Sequence, residues 1–174
     1  MSSARVGRLN SMTSAPDNVV SVSRRIGAPA AKIFAILADP RNHPLVDGSG
    51  MLRDCSGGRI RAVGDVFEML MHNDEMGDYE MANHVVEYEP GRRICWEPVL
   101  KAASRAEDQD DIGDRAQHRW TYELTPLDAT STLVTETYDC SRAPEWLRKA
   151  VKGGARWTRS MTVSLEKLDE LSRR

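Results

Sequence analysis

Apolar and polar residues alternate along most of this chain, with the period of two that is typical of β-strands exposing one face. The first alternating segment covers residues 19–26, where Val20, Val22 and Ile26 share a face with Arg24. The same alternation predicts about six consecutive strands between residues 51 and 140, separated by short turns. Consecutive strands joined by short turns favour an antiparallel meander.

Helical spacing replaces the alternation on both sides of this meander. Pro29 suits the first turn of a helix that continues through residues 33–37, and residues 40–46 favour a second, short helix. From Pro144 to Leu171, apolar residues recur at helical intervals, which predicts a long amphipathic helix. The glycine pair at 153–154 kinks or splits it. One strand, two helices, about six strands and a long helix predict an α+β fold.

Length and charge narrow the possible classes of protein. The chain has 174 residues and a net charge of −2, which suits a single domain, placed here at residues 19–172. Residues 1–18 are small and polar, so we expect a disordered tail and no secretory signal. Apolar stretches are far shorter than the ~18–20 residues that span a bilayer. The near-neutral charge gives no reason to expect nucleic-acid binding.

The metal-binding residue types are few and scattered. The three cysteines include no CxxC pair, and the four histidines lack the spacing of metal ligands. We therefore predict no metal site and no cofactor. Unpaired thiols fit a reducing compartment, so we expect a cytoplasmic protein. The acidic segment at 105–115 is typical of an exposed, mobile loop.

Opposite residues of an antiparallel pair share a face, so the turns predict which side chains point inward. The turn at 126–131 predicts these opposed pairs: Tyr122 and Val134, Trp120 and Glu136, and His118 and Tyr138. An earlier hairpin opposes Phe67, Met69 and Met71 to Val85, Asn83 and Met81, with Ile94 and Trp96 on the next strand. This face is therefore largely apolar and carries a few polar groups.

A purely structural core rarely holds several polar groups, because each one that is buried without a hydrogen-bond partner costs about 1–3 kcal/mol. A ligand cavity has this composition: mostly apolar, with a few convergent polar side chains. The methionines fit an adaptable apolar wall. We therefore predict a ligand-binding set on the sheet and the last helix: Arg24, Phe67, Met69, Met71, Met81, Asn83, Val85, Ile94, Trp96, His118, Trp120, Tyr122, Val134, Glu136, Tyr138, Trp157 and Met161.

Three segments resemble the SRPBCC superfamily, which includes START lipid-transfer domains, birch-pollen-allergen-like proteins and polyketide cyclase/dehydrase-like proteins. Residues 26–40 (IGAPAAKIFAILADP) resemble its opening strand-to-helix segment, and residues 85–96 resemble its central hairpin. Residues 120–138 resemble its penultimate strand pair. The resemblance covers about residues 19–172. It implies a helix-grip fold, in which a curved antiparallel sheet of about seven strands wraps round the C-terminal helix and encloses a hydrophobic cavity.

Several polar residues have two interpretations. Arg24 and Glu136 lie on the first and last strands, which neighbour each other in this fold, so they form a buried ion pair or anchor a ligand. Asn83 either orients a ligand carbonyl group or is a satisfied core amide. His43, Asp47 and Ser49 lie near the expected entrance, but they lack a nucleophile elbow, so hydrolysis is disfavoured.

Three functions follow. The first is binding or carrying a hydrophobic small molecule, such as a lipid, polyketide or isoprenoid. The alternative is a polyketide cyclase or dehydratase in which His118 is the general base and the Tyr138 hydroxyl holds the enolate. The third is a protein- or ribosome-interaction module that uses a basic face of the C-terminal helix: Arg148, Lys152, Arg156 and Arg159.

Overall fold

The computed structural model describes residues 18–101, 117–151 and 154–174. The strands are β1 (Val19–Ile26), β2 (Leu52–Ser56), β3 (Val66–Asn73), β4 (Gly77–Glu89), β5 (Arg93–Leu100), β6 (Arg119–Pro126) and β7 (Thr132–Asp139). The helices are α1 (Ala30–Leu37), α2 (His43–Val46), α3 (Glu145–Val151) and α4 (Ala155–Ser172), with a 3-10 turn at Pro40–Asn42. The predicted tail, apart from Asn18, and the acidic segment lie outside the described residues.

All seven strands form one antiparallel sheet in the order β1-β7-β6-β5-β4-β3-β2. The first strand therefore pairs with the last one, and β2 forms the other edge. Helix α4 packs across β1 and β7, and it also contacts α1 and α2. The predicted α+β helix-grip fold is confirmed.

Two clusters of buried side chains flank the space between the sheet and α4. In the larger cluster, Ile33, Phe34 and Leu37 project from one face of α1 and pack with Leu165 and other residues of the sheet and α4. The helical spacing of these apolar residues is what directs that face inward. The smaller cluster places Val151 of α3 against the ends of β1 and β7.

The register predicted for both hairpins is wrong by two residues, although the predicted faces are correct. On β6 and β7, Tyr122 opposes Glu136 and Trp120 opposes Tyr138. The centre of the turn lies one residue later than predicted, since Pro126 pairs with Thr132. The Asp128 carboxylate closes this turn, accepting from the Thr130 amide at 2.8 Å and from the Ser131 hydroxyl at 2.6 Å. A shift of two residues preserves the face because side chains alternate with period two.

The β3–β4 turn is shorter than predicted, so that Phe67 opposes Asn83 and Met69 opposes Met81. Gly77 adopts a φ of 68°, a conformation that favours glycine, and so lets the strand resume directly after the turn. The side chain of Asn73 caps the same turn, accepting from the Met76 amide at 2.7 Å.

The predicted interruption of the C-terminal helix is confirmed at Gly154, which separates α3 from α4 with a φ of 57°. A Cβ atom at this position would lie 2.8 Å from Cγ2 of Val20. Both the backbone conformation and the close approach of β1 therefore favour glycine here. On the N-terminal side of the break, Leu147 of α3 packs against the smaller cluster.

Candidate functional site

A cavity of about 240 Å³ lies between the inward face of the sheet and α4. The α2–β2 loop and α3 complete its walls. Twelve of the residues predicted to contact a ligand line it: Met69, Met71, Met81, Asn83, Trp96, His118, Trp120, Tyr122, Glu136, Tyr138, Trp157 and Met161. Their roles in binding remain a prediction.

Glu136 is the most unusual of these side chains. It is 3% exposed, and its Oε2 atom has no hydrogen-bond partner. The Tyr122 hydroxyl, opposite it on β6, donates a hydrogen bond to the carboxyl group. Burial raises the pKa of Glu136 to about 8, with a further contribution from the negative charge of Asp47. Glu136 is therefore predominantly a neutral carboxylic acid at neutral pH, able to donate a proton to an acceptor in the cavity.

His118 and Tyr138 lie together at the α3 end of the cavity, as predicted. The Nδ1 atom of His118 is 2.9 Å from the Tyr138 hydroxyl oxygen. Burial lowers the pKa of His118 to about 4, against an opposing hydrogen bond to the carbonyl group of Pro98. A neutral imidazole has one N–H, which the Pro98 carbonyl can accept, so we infer that Nδ1 accepts from Tyr138. Burial also raises the pKa of Tyr138.

Asn83 provides a second unsatisfied polar atom in the cavity wall. Its side chain is 1% exposed, and Nδ2 donates to the carbonyl oxygen of Phe67 at 3.4 Å. That contact identifies Nδ2 as the donor and leaves Oδ1, which has no partner, as an acceptor. Buried polar atoms are rarely left unpaired, because each costs about 1–3 kcal/mol. Of the two interpretations of Asn83, the fully satisfied core amide does not fit this unpaired oxygen.

Aromatic rings form much of the remaining wall. The Trp120 and Tyr138 centroids are 4.7 Å apart, and Trp157 of α4 stacks on Tyr138 at 5.2 Å. Trp96 and Tyr122 lie 5.8 Å apart on the neighbouring strands. These contacts fix the rings in place and give the cavity a rigid apolar surface.

Five predicted residues do not line the cavity. Phe67, Val85, Ile94 and Val134 share the correct face but belong to the packed core near α1. The predicted contact between Arg24 and Glu136 is wrong, because Glu136 opposes Val22 on β1. Arg24 instead reaches α4, where its Nε atom lies 3.4 Å from Asp169 Oδ2.

The α2–β2 loop lines the cavity with Asp47 and Ser49, which the sequence placed near the entrance, and with Met51, which it did not indicate. Asp47 organises this loop, accepting from the Ser49 hydroxyl at 2.7 Å and from the amide groups of Ser49 and Leu52. His43 points away from this pair, with Nε2 2.8 Å from the carbonyl oxygen of Leu37. The three residues therefore form no catalytic triad. Loop and α3 residues such as Leu147 line the cavity without a periodic pattern that would identify them.

Gly48 fixes the loop against α4. Its amide donates to the Ser164 hydroxyl at 2.9 Å. A Cβ atom would lie 2.1 Å from the Ser160 carbonyl oxygen and 2.6 Å from the Ser164 amide nitrogen. Only glycine permits this approach, which brings Asp47 into the cavity wall opposite the sheet.

The predicted basic stripe does not lie on a single helix. Arg148 belongs to α3, whereas Arg156 and Arg159 belong to α4, beyond the break at Gly154. Lys152 lies outside the described residues. Among the residues that the structure describes, no group of three or more His, Cys, Asp or Glu side chains is arranged to hold a metal ion. None of the described helices is long and apolar enough to cross a membrane.

Comparison with known families gives a match over nearly the whole chain. Residues 18–173 match the family described as polyketide cyclase / dehydrase and lipid transport. Two uncharacterised proteins from strains of Mycobacterium tuberculosis, among them Rv0088, are 33% identical over 143 and 144 residues. The match covers 79% of this chain and 52% of each relative. The chain thus spans about half the length of these relatives.

Solved structures share the fold at much lower identity. An aromatase/cyclase from Streptomyces sp. R1128 superposes with a TM-score of 0.60 and 14% identity, covering 90% of this chain and 93% of that one. The ginseng major latex-like protein 151 from Panax ginseng gives a TM-score of 0.62 and 11% identity, covering 90% and 97%. At these identities the similarity establishes the fold alone.

Proposed function

Because the chain belongs to the polyketide cyclase / dehydrase and lipid transport family, we propose that it binds and carries a hydrophobic small molecule between the sheet and α4. The observation that carries the proposal is an apolar cavity whose wall holds two buried, unpaired polar atoms, Glu136 Oε2 and Asn83 Oδ1. A ligand that pairs with them removes the cost of leaving them unsatisfied.

The cavity volume of about 240 Å³ limits the size of that ligand. Ligand pockets usually measure ~300–1,000 Å³, so we expect a compact molecule such as a fused-ring compound or a medium-length chain. Affinity comes from apolar contact with the aromatic and methionine wall, at about 25 cal/mol per Å² buried. The polar atoms of the wall fix the orientation of the bound ligand.

Native mass spectrometry of the purified chain, with and without added hydrophobic compounds, tests this proposal. Met69→Trp fills part of the cavity, and Leu70→Trp is the matched control, because Leu70 is the next residue and is 38% exposed on the outer face. We expect ligand adducts in the wild type and the control and their loss in Met69→Trp. A protein that stays empty with every compound, or equal adducts in both variants, would contradict the carrier function.

The hydrogen bond between His118 and Tyr138 favours a second candidate, a cyclase or dehydratase. General acid–base catalysis is most efficient when the pKa lies near the working pH. With a pKa of about 4, His118 is a weak base at neutral pH, and the raised pKa of Tyr138 makes it a weak acid. We therefore rank this function below carriage.

Product analysis separates the two functions. In a cyclase/dehydratase, aldol closure forms a carbon–carbon bond between two parts of a poly-β-ketone chain, and a molecule of water then leaves. Mass spectrometry would detect the dehydrated product with the wild type and not with His118→Ala. A carrier returns the bound compound with its mass unchanged, and turnover that survives in His118→Ala would exclude this residue as the base.

A further inference from the structure

The charges lining the cavity indicate which hydrophobic molecules it accepts. No lysine or arginine lines it within the described chain, and its two carboxyl groups belong to Asp47 and Glu136. Its two imidazoles do not supply a positive charge. Burial lowers the pKa of His43, whose ring is held at the Leu37 carbonyl group, and it lowers the pKa of His118 to about 4. A negatively charged ligand group therefore finds no cation in this wall.

The two carboxyl groups differ in what they can offer a ligand. Both oxygens of Asp47 already accept hydrogen bonds within its own loop, from Ser49 and Leu52. Glu136 has a free oxygen on the inward face of the sheet. The titratable groups that act on it are Tyr122 of β6 and Asp47 of the α2–β2 loop. On its other side, β1 contributes Val22, which does not titrate.

Resting on the proposed function, we propose that the cavity selects uncharged hydrophobic ligands that present a carbonyl or similar acceptor oxygen to Glu136, and that it excludes carboxylates. As a protonated acid, Glu136 donates its hydrogen bond from Oε2 to the ligand oxygen. Neutral ketones, amides and esters fit this site, and free fatty acids do not.

Charged ligands are disfavoured for different reasons. A carboxylate ligand brings its negative charge, close to Asp47, into a buried, apolar site whose described lining residues include no lysine or arginine to compensate it. An amine would require Glu136 to ionise and form an ion pair away from water, where desolvation offsets much of the attraction. A neutral acceptor requires neither change in charge.

A matched set of probes tests this selectivity. Methyl β-naphthyl ketone, β-naphthamide and β-naphthoate differ in carrying CH₃, NH₂ or O⁻ on one carbonyl carbon, and β-naphthylmethylamine provides a cation. The same four functional groups on a linear decyl chain provide a second set of probes with a different shape. Binding is measured at about pH 7 by calorimetry and by quenching of the cavity tryptophans. We expect the ketone and amide to bind at least tenfold more tightly than the carboxylate and the amine.

Glu136→Leu identifies the source of the discrimination. Leucine is similar in size but has no donor, so the ketone loses its hydrogen bond while the carboxylate gains no partner, and we expect the ratio of ketone to carboxylate affinity to fall severalfold. Its thermal unfolding is recorded first, to show that the variant is folded. Glu170→Gln on the exposed face of α4 is the control and should leave the ratio unchanged.

The outcomes distinguish this inference from the proposed function. Equal or tighter binding of the carboxylate or the amine overturns the inference and leaves the carrier function intact. An unchanged ratio in Glu136→Leu also overturns it, because the selectivity would then come from another group. If no probe on either scaffold binds, both the carrier function and the inference are wrong.

Discussion

Tyr122 and Glu136 face each other across the β6–β7 pair, and the tyrosine hydroxyl donates a hydrogen bond to the buried carboxyl group. The contact satisfies one side of the carboxyl group and leaves Oε2 free. It also works against burial, because a donor to the carboxylate lowers the pKa that burial raises to about 8. Burial outweighs the effect of Tyr122, so Glu136 keeps its proton under conditions in which an exposed glutamate would have lost it.

This proton makes the stability of the wild type depend on pH. The native pKa of Glu136, about 8, lies above its ordinary value of 4.5, so the native state binds the proton more tightly than the unfolded chain. The resulting stabilisation is complete below about pH 4.5 and is lost as the pH rises to about 8. Glu136→Gln removes this dependence, so its unfolding free energy relative to the wild type should increase over that range.

Urea unfolding at about pH 5 and about pH 8.5 measures the effect, since each unit of pKa difference corresponds to about 1.4 kcal/mol. The Glu170→Gln control should follow the wild type at both values, because Glu170 is exposed. Parallel pH profiles for Glu136→Gln and the wild type would show that the carboxyl group is not protonated in the native cavity.

Local periodicity was sufficient to predict the α+β class and the inward face, whereas the helix-grip arrangement was implied by the resemblance to the SRPBCC superfamily. Alternation placed Trp120, Tyr122 and Glu136 on one face whichever register the hairpin adopts. Register was not predictable in the same way, since it depends on where each turn is centred, and side-chain caps such as Asp128 help to fix that position. Alternation therefore predicted which face of the sheet lines the cavity, but not which residues lie opposite one another on that face.

Contacts between distant segments were the least predictable. Alternation cannot tell a cavity residue from a core residue on the same face, so Phe67 and Val134 were assigned to the ligand site. Arg24 was paired with the wrong acid because its partner lies on a helix more than a hundred residues away. The α2–β2 loop enters the site through the close approach of Gly48 to α4, which has no periodic signature.

Tyr138→Phe should alter the titration of His118. Burial is the main cause of the low pKa of His118, about 4, and it persists in this variant. The inferred donation from the hydroxyl group to Nδ1 also favours the neutral imidazole, so its loss should raise the pKa of His118 modestly. Loss of a buried hydrogen bond should also lower the unfolding free energy by about 1–2 kcal/mol. NMR titration of the imidazole protons measures the first effect. Tyr88→Phe, on a ring packed against Phe34, should leave His118 unchanged.

Gly48→Ala should destabilise the protein, because its Cβ atom would overlap backbone atoms of α4 at 2.1 and 2.6 Å. Overpacking of this kind costs typically about 1–3 kcal/mol, and displacing the loop also breaks the hydrogen bond to Ser164. Gly58→Ala is the control, since nothing lies within 4 Å of the position that its methyl group would occupy. Chemical denaturation of both variants provides the comparison, and equal stabilities would show that the loop can move off α4 without cost.

The ion cluster between β1 and α4 should depend on Asp169 and very little on Glu166. Asp169 is 3% exposed and accepts hydrogen bonds from Arg24, from the Gly27 amide and from Arg173. Asp169→Ala removes the acceptor that these donors share, and since Arg24 and Arg173 remain partly exposed to water, the loss should cost about 1–3 kcal/mol. Glu166 lies 3.8 Å from Arg24 with half of its side chain exposed, so Glu166→Ala should cost less than about 1 kcal/mol. Urea denaturation of the two variants measures the difference, and similar losses in both would mean that long-range charge attraction, rather than the buried hydrogen bonds of Asp169, holds α4 against β1.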